Sequence, residues 1–498
     1  MKRSPCTGIQ MHLPCEPLII LLTLKSTYPI FFKMKIAFIH YHLKTGGVTT
    51  VLKQQVEALH DTCDLLVLTG EIPESPFICE TVHIPGLGYD HKDQNRSDPQ
   101  DIAAAIIRAI HLKWKGGCDL VHVHNPTLAK NRDFLKILNA LQNKNIKLFL
   151  QIHDFAEDGR PLVYFSEDEY PQNCHYGVIN SRDYKILIES GLKEKGVHKI
   201  FNTINRFKLN TTDAPQKNLI LYPIRALRRK NIGEAILISL FFKNNETLAI
   251  TLPPNSPADL ESHAQWKEFV KEKNLNVIFE AGLSHEFSEL VLSARFLITT
   301  SITEGFGFSF LEPWTAKKIL WGRKLPEICH DFEKNGIRLD HLYTRIAVPL
   351  EWLGKDKLFR TWQAGIKKAC SLFAIKIDNT KIQTAFEKIT ANESIDFGLL
   401  DEAFQKTVIS IVLSRESHQE RLIFLNPFLL HPGNVSDKEA LIQNNMNAVL
   451  FHYNKTNYRK NLVDIYSRVI KDTVCHKIDK KLLVLKFLTP EDFSLLKW

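Results

Sequence analysis

The chain has 498 residues, 44% of them hydrophobic and 24% charged, with a formal net charge of +9. That length accommodates two to three domains, and the composition is that of a globular protein. The charge excess is modest, and no Lys/Arg tract alternates with aromatics, which argues against a nucleic-acid binder while leaving room for an anionic ligand. Nine cysteines are scattered without a Cys-x-x-Cys pair, so neither a zinc site nor a disulfide framework is expected and a reducing cytoplasm fits.

Residues 1–33 stand apart. Pro17-Leu-Ile-Ile-Leu-Leu-Thr-Leu24 is apolar but too short to span a bilayer, and Met34 runs straight into a strand-like segment. Residues 1–33 are therefore expected to be an upstream extension, with a membrane-anchoring tail as the alternative.

From Met34 the chain alternates short apolar runs with amphipathic stretches. Strands are expected at Ile36–His40, Leu65–Leu68, Leu120–His124, Lys147–Ile152, Tyr176–Asn180 and Lys199–Asn202. Helices are expected at Val48–Leu59 and Ile102–Trp114. Such alternation predicts an α/β fold with a parallel, doubly wound sheet. After the first strand, Gly46-Gly47 opens a helix and allows a tight turn; the spacing is not that of a dinucleotide fingerprint, and a plain strand–helix turn is the alternative. His122 and His124 share one strand face, with no carboxylate or cysteine nearby in sequence to complete a metal site. Gln151-Ile-His153-Asp154 closes another strand, which places His153 at a carboxyl end where ligands gather. Glu157 and Arg160 follow, and Arg160 is a candidate for holding an anionic acceptor.

A second series of strands is expected at Leu219–Tyr222, Leu248–Thr251, Asn276–Phe279 and Phe296–Thr299. The boundary between the halves is expected near Asn210–Gln216, a polar stretch with a proline. The first strand of this half runs into Arg225-Ala-Leu-Arg-Arg-Lys230, where Arg225 offers a fork of donors and Lys230 a compact charge. Arg228 and Arg229 read as a solvated face. The apolar run Ala294–Thr300 leads into Glu304-Gly-Phe-Gly-Phe-Ser-Phe-Leu-Glu312. Two carboxylates here bracket a glycine loop in which Gly305 and Gly307 admit a ligand to the main chain. A helix is expected from about Phe308, carrying Glu312, which can accept two hydrogen bonds from a ribose diol.

Together the Gly-Gly turn, the His-Asp turn, Arg225-x4-Lys230 and Glu304-x7-Glu312, in this order, resemble the retaining nucleotide-sugar glycosyltransferases of GT-B fold, family 4, over roughly residues 34–330. The resemblance implies two Rossmann-like domains facing across a cleft, at 34–212 and 213–350, with a mostly helical region at 351–498 whose last helices cross back to the first domain. It implies transfer of a hexose from a nucleotide sugar to a hydroxyl acceptor (a small polar acid, a sugar or a lipid) with retention at the anomeric carbon and without metal or other cofactor. Arg225 and Lys230 would then bind the donor diphosphate together with Gly46 and Gly47, His153 would face the donor sugar, and Gly282-Leu283 would lie at the nucleotide base. Glu304, with Gly305, Phe306 and Gly307, would position sugar hydroxyls, and Glu312 would hold the ribose. No enzymic nucleophile is implied; the leaving phosphate oxygen takes the acceptor's proton on the same face. A cytoplasmic protein with a peripheral contact to the inner membrane face is expected, with no nucleic-acid partner. Trp314 and Lys317 depart from the small residues usual after Glu312. A GT-B phosphorylase, a nucleotide-sugar epimerase and a non-catalytic nucleotide-sugar binder share the architecture.

Overall fold

The computed structural model describes residues 33–73, 76–90, 97–208, 218–243 and 245–498. The N-terminal extension, but for Lys33, and the boundary at Asn210–Gln216 lie outside the described residues. Seven strands form the first sheet: β1 (Met34–His40), β2 (Cys63–Thr69), β3 (Glu80–His83), β4 (Leu120–His124), β5 (Leu148–Ile152), β6 (His175–Val178) and β7 (Val197–Lys199). Their spatial order is β3-β2-β1-β4-β5-β6-β7, and every pair is parallel. The second sheet contains β8 (Leu219–Arg225), β9 (Thr247–Leu252), β10 (Val277–Ile278), β11 (Ala294–Thr299) and β12 (Leu320–Gly322). It is also wholly parallel, in the order β10-β9-β8-β11-β12. Helices cover these sheets, which is why the runs in β4 and β5 are buried along their whole length. The expected pair of doubly wound sheets is present.

Each sheet has a switch point where the strand order reverses, between β1 and β4 in the first and between β8 and β11 in the second. Ligands of open α/β sheets bind at such points, beyond the strands' carboxyl ends. All the motifs singled out around His153, Lys230 and Glu304 follow strands at or next to these two points.

Several elements differ from expectation. The edge strand β3 was not anticipated because Glu80-Thr-Val-His83 carries no apolar run, and its residues are half-buried or exposed. β6 stops at Val178 because Asn180 caps the next helix, its side chain accepting the Asp183 N–H. β7 lies at Val197–Lys199 rather than Lys199–Asn202. The helix expected from Phe308 is instead a 3-10 turn at Phe308–Phe310 followed by a four-residue helix, Glu312–Thr315. That helix cannot continue, because Lys317 takes the left-handed conformation and the chain enters β12.

The C-terminal region is helical, and its parts serve both sheets. Leu358, Trp362, Phe386, Val408 and Val412 share one core with Tyr222, Ile236, Phe296 and Trp314 around the second sheet. The helix Lys455–Lys471 instead lies on the first sheet: Tyr458, Leu462, Ile465, Tyr466 and Val469 join Ile36, Phe38, Leu52 and Val56 in a single core. Gln55 Nε2 donates to the Tyr458 hydroxyl at 2.8 Å, and Tyr466 reaches His122 at 2.8 Å. Among the described residues no helix is long and apolar enough to cross a membrane.

Leu462 is fully buried in this crossing helix. Leu462→Ala should cost about 2–5 kcal/mol of stability in urea unfolding, the range for a cavity in a packed core. A loss well under 1 kcal/mol would show that the helix is not part of the first domain's core.

Candidate active site

β8 ends at Arg225, and the chain turns through the 3-10 segment Arg228–Lys230 before the helix Ile232–Ser239. Asn231 makes the turn in the left-handed region, with φ of 53°. Its side chain donates to Glu234 at 2.8 Å and accepts from Gln405 at 2.8 Å. Glu234 is itself fully buried, bonded by Arg323 at 2.5 and 2.8 Å and by the Tyr343 hydroxyl at 2.7 Å, and Arg323 also pairs with Asp396. A buried network of this kind favours one backbone path, because losing Arg323 or Glu234 would leave a buried group without its partner.

Two hydroxyls tie the turn to β11. Tyr222 and Thr300 both donate to the Lys230 carbonyl, at 2.6 and 3.1 Å. The ammonium of Lys230 pairs with one oxygen of Glu304, and Arg229 Nη1 approaches the other at 3.3 Å. Burial on its own would raise the pKa of Glu304, but Lys230 and then Arg229 outweigh it and the net direction is downward. Burial lowers that of Lys230, against the pull of Glu304. Arg229, read from the sequence as solvated, is therefore a site residue. Charge runs usually are solvated faces, and only the fold brings this one onto Glu304. Arg225 is exposed and donates to the Pro253 carbonyl at 2.8 Å, so the structure does not bring it to Glu304.

The glycine loop after Glu304 reaches the first domain. The Gly305 carbonyl accepts from Asn180 Nδ2 at 2.9 Å, and a Cβ on Gly305 would stand 3.5 Å from the His153 carbonyl. Gly307 is required by its own conformation, with φ of 88° and Ile328 and Phe310 3.0 Å from a would-be Cβ. The ring of Phe306 is buried between Phe308, Phe332 and Tyr453, which leaves its main chain as the part that faces outward from the loop's core contacts. Glu312, in the first turn of its short helix, is solvent-accessible, and its carboxylate has no hydrogen-bond or ion-pair partner among the described residues. Protein nevertheless surrounds it closely enough to push its pKa up to about 7, with Lys230 opposing the rise. Gly282 packs against the end of β9, 3.1 Å from the Thr251 carbonyl by its would-be Cβ, and its neighbour Leu283 is exposed.

On the opposite wall, Gly46 and Gly47 begin the helix Gly47–Leu59, and no atom crowds a Cβ at Gly47. The backbone N–H groups of His153 and Asp154 both donate to Asn125 Oδ1, at 2.8 and 3.1 Å, with Asn125 held at φ of 52°. Asn125 is thus the clamp of the His-Asp turn; its place directly after β4 and before Pro126 was the signal available in sequence. His153 and His124 bond ring to ring at 2.9 Å. Burial lowers the pKa of His153 to about 4 and that of His122 to about 3. His122 is bonded to Tyr466 and to Gln151, so it is part of the packed sheet face and His124 is fully buried beside it. Glu157 is fully buried on the Tyr170 hydroxyl at 2.7 Å and does not open onto a pocket, and Arg160 is engaged with Asp154 at 2.5 Å.

No family model matches the sequence. Among solved structures, Anabaena HepE in complex with UDP-glucose superposes with a TM-score of 0.51 at 13% identity, over 87% of this chain and 99% of that one. Sucrose-phosphate synthase from Thermosynechococcus elongatus gives 0.50 at 15% identity, over 87% and 98%. The chain has the GT-B glycosyltransferase fold. A curated relative, mannosylglucosyl-3-phosphoglycerate synthase of Petrotoga mobilis, is 27% identical over 414 residues, which is 74% of this GT-B chain and 79% of the relative.

The raised pKa of Glu312 has a thermodynamic consequence. Between its ordinary 4.5 and about 7 the folded state binds a proton that the unfolded state has released, so this group makes stability fall as pH rises through that window. Glu312→Gln should flatten that fall, measured as urea midpoints at pH 5 and pH 7.5 in both proteins. Parallel curves would mean that Glu312 titrates as an ordinary surface carboxylate.

Proposed function

We propose that the chain is a retaining, metal-independent glycosyltransferase that moves a hexose from a nucleotide sugar to a hydroxyl acceptor. The observation that supports this reading is the bond of Asn180 to the Gly305 carbonyl, with the His153 carbonyl 3.5 Å from a would-be Gly305 Cβ, which brings the loop after Glu304 against the ends of β5 and β6. Lys230 and Arg229 share the buried carboxylate of Glu304, Lys230 also feels Glu312, and Arg225 lies nearby in the chain. A diphosphate is the anion that this arrangement suits, since positive charge fixed in advance stabilises the leaving group as its bond to the sugar breaks.

The remaining groups take matching roles. The start of the helix Gly47–Leu59 presents unpaired backbone N–H groups to the phosphates, and the open space at Gly47 admits them. Glu312, once ionised, accepts from the ribose diol, and exposed Leu283 offers an apolar face to the base. His153 meets the transferred sugar. The anomeric C–O bond to the diphosphate breaks, the acceptor oxygen bonds to the same face of that carbon, and the acceptor's proton passes to the departing phosphate oxygen. The Petrotoga relative is named for a product that carries 3-phosphoglycerate. We extend this to an acceptor bearing an anionic group, in keeping with the net charge of +9.

Thermal-shift measurements with UDP-, GDP- and ADP-sugars test the donor. One donor should raise the melting temperature selectively by mass action, and Arg225→Ala should lose that shift. Lys230→Ala should lower kcat roughly 100-fold or more, the scale for deleting one preorganised charge at a developing anion. NMR of the product should show the donor's own anomeric configuration. An inverted product would overturn retention, and near-wild-type turnover in Lys230→Ala would overturn the diphosphate assignment.

A further inference from the structure

His124 and His153 stand at the ends of neighbouring strands, β4 and β5, with their rings nearly coplanar (11°) and Nδ1 of His124 2.9 Å from Nε2 of His153. One proton lies between these two nitrogens, and which residue owns it determines what His153 can offer a ligand. His124 is sealed: His122 stacks on it at 4.6 Å, Phe38 lies at 6.2 Å and His40 meets it edge-on at 6.0 Å. Its Nε2 is buried with no hydrogen-bond partner. His153 differs, because its Nδ1 is not among the sealed, partnerless atoms and no protein group bonds it.

Two arrangements satisfy the 2.9 Å contact. If His153 donates from Nε2, neutral His124 must carry its own proton on Nε2, and a polar N–H is then buried with nothing to receive it. If His124 donates from Nδ1, its Nε2 is a bare lone pair. Orphaned buried N–H groups are the rarer defect in folded proteins, and a buried donor left unmade costs about 1–3 kcal/mol. The second arrangement is favoured, and it leaves the proton of neutral His153 on Nδ1, the nitrogen that is not sealed. Burial pushes the pKa of His124 well below the ordinary histidine value and that of His153 to about 4, so neither ring takes up a second proton near neutrality.

We propose that His124 is a positioning residue that fixes the tautomer of His153, so that His153 meets its ligand as an Nδ1–H donor and not as a proton acceptor. On the glycosyltransferase reading, on which this part rests, that ligand is a sugar hydroxyl or ring oxygen of the donor. His153 then has no free nitrogen with which to act as general base. The proton of the acceptor must leave by another route, such as the departing phosphate oxygen.

Long-range 1H–15N spectra of the full chain with 15N-histidine test this directly, with His153→Gln identifying the signal. His153 should carry its proton on Nδ1 and show a bare Nε2. In His124→Leu, which has similar bulk and no donor, the Nε2 resonance of His153 should shift toward that of an unbonded lone pair; in His124→Asn, whose amide can donate from near the same place, it should stay near its wild-type position. Turnover of the donor found by thermal shift should fall about 10-fold or more in kcat for the leucine variant, which no longer holds the His153 ring, with KM little changed, and recover in the asparagine variant. An Nε2–H signal for His153 in the wild type would overturn the proposal, and that spectrum decides the matter even if His124→Leu fails to fold. An unchanged Nε2 resonance in a folded His124→Leu protein would overturn it equally, since nothing would then be donated from His124. A tautomer as expected in a chain that binds no nucleotide sugar would confirm the dyad and sink the transferase reading alone.

Discussion

The pairing of Lys230 with Glu304 joins the ends of β8 and β11 across the switch point of the second sheet, and the crevice is organised around it. Both groups are largely buried, so each needs the other: removing one partner of a buried pair typically costs about 3–5 kcal/mol because a charge is left alone. Arg229 brings a second cation to the same carboxylate, and Glu312 stands as a second acidic group near Lys230. Charge fixed in advance where burial limits water is where it acts most strongly.

That pair is held by layers farther out. Asn231 can adopt its left-handed turn because Glu234 and Gln405 bond its side chain, and Glu234 is held in the core by Arg323, which meets Asp396 as well; burial raises its pKa and Arg323 opposes the rise. Gln405 lies in the helix Glu402–Ser414 and Asp396 in the short strand Ser394–Asp396, so the C-terminal region stabilises the cation turn directly. The last residues do the same for the opposite wall. Lys480 donates to the carbonyls of Phe165 and Asp168, and Lys497 pairs with Asp158, while Ser494 and Leu495 are bonded to Gly398 and Leu399. The loop after β5 is thereby tied to the core around the second sheet. The long helical tail therefore bonds to groups around both sheets.

How much of this was legible in the sequence follows from the range of the interactions. The strands β1, β4, β5, β8, β9 and β11 are continuous apolar runs, which burial on both faces demands, and they are readable residue by residue. Lys230, Glu304 and Glu312 were legible because short motifs at strand ends are local. Arg229 was not, since a charge run carries no sign of which member folds back onto a carboxylate 75 positions away. The partners of Glu157 and Arg160, namely Tyr170 and Asp154, were not legible for the same reason, being chosen by the tertiary path. Nor was the packing of Phe306, since an aromatic in a glycine loop serves as core or as ligand contact equally well until its neighbours are known.

The histidines show where local reading fails and packing decides. Alternation along β4 places His122 and His124 on one face, and a sequence supports a metal pair there as readily as a structural one. The fold sends that face toward the crossing helix, where Tyr466 bonds His122, and toward β5, where His153 bonds His124. Burial lowers the pKa values of His122, His124 and His153, so these rings stay neutral near neutral pH. Buried polar groups of this kind cost stability unless they are satisfied, and an apolar face would have packed as well. Their presence beneath the crevice is accounted for once the ring at the end of the row, His153, has to present one particular nitrogen with its proton in place.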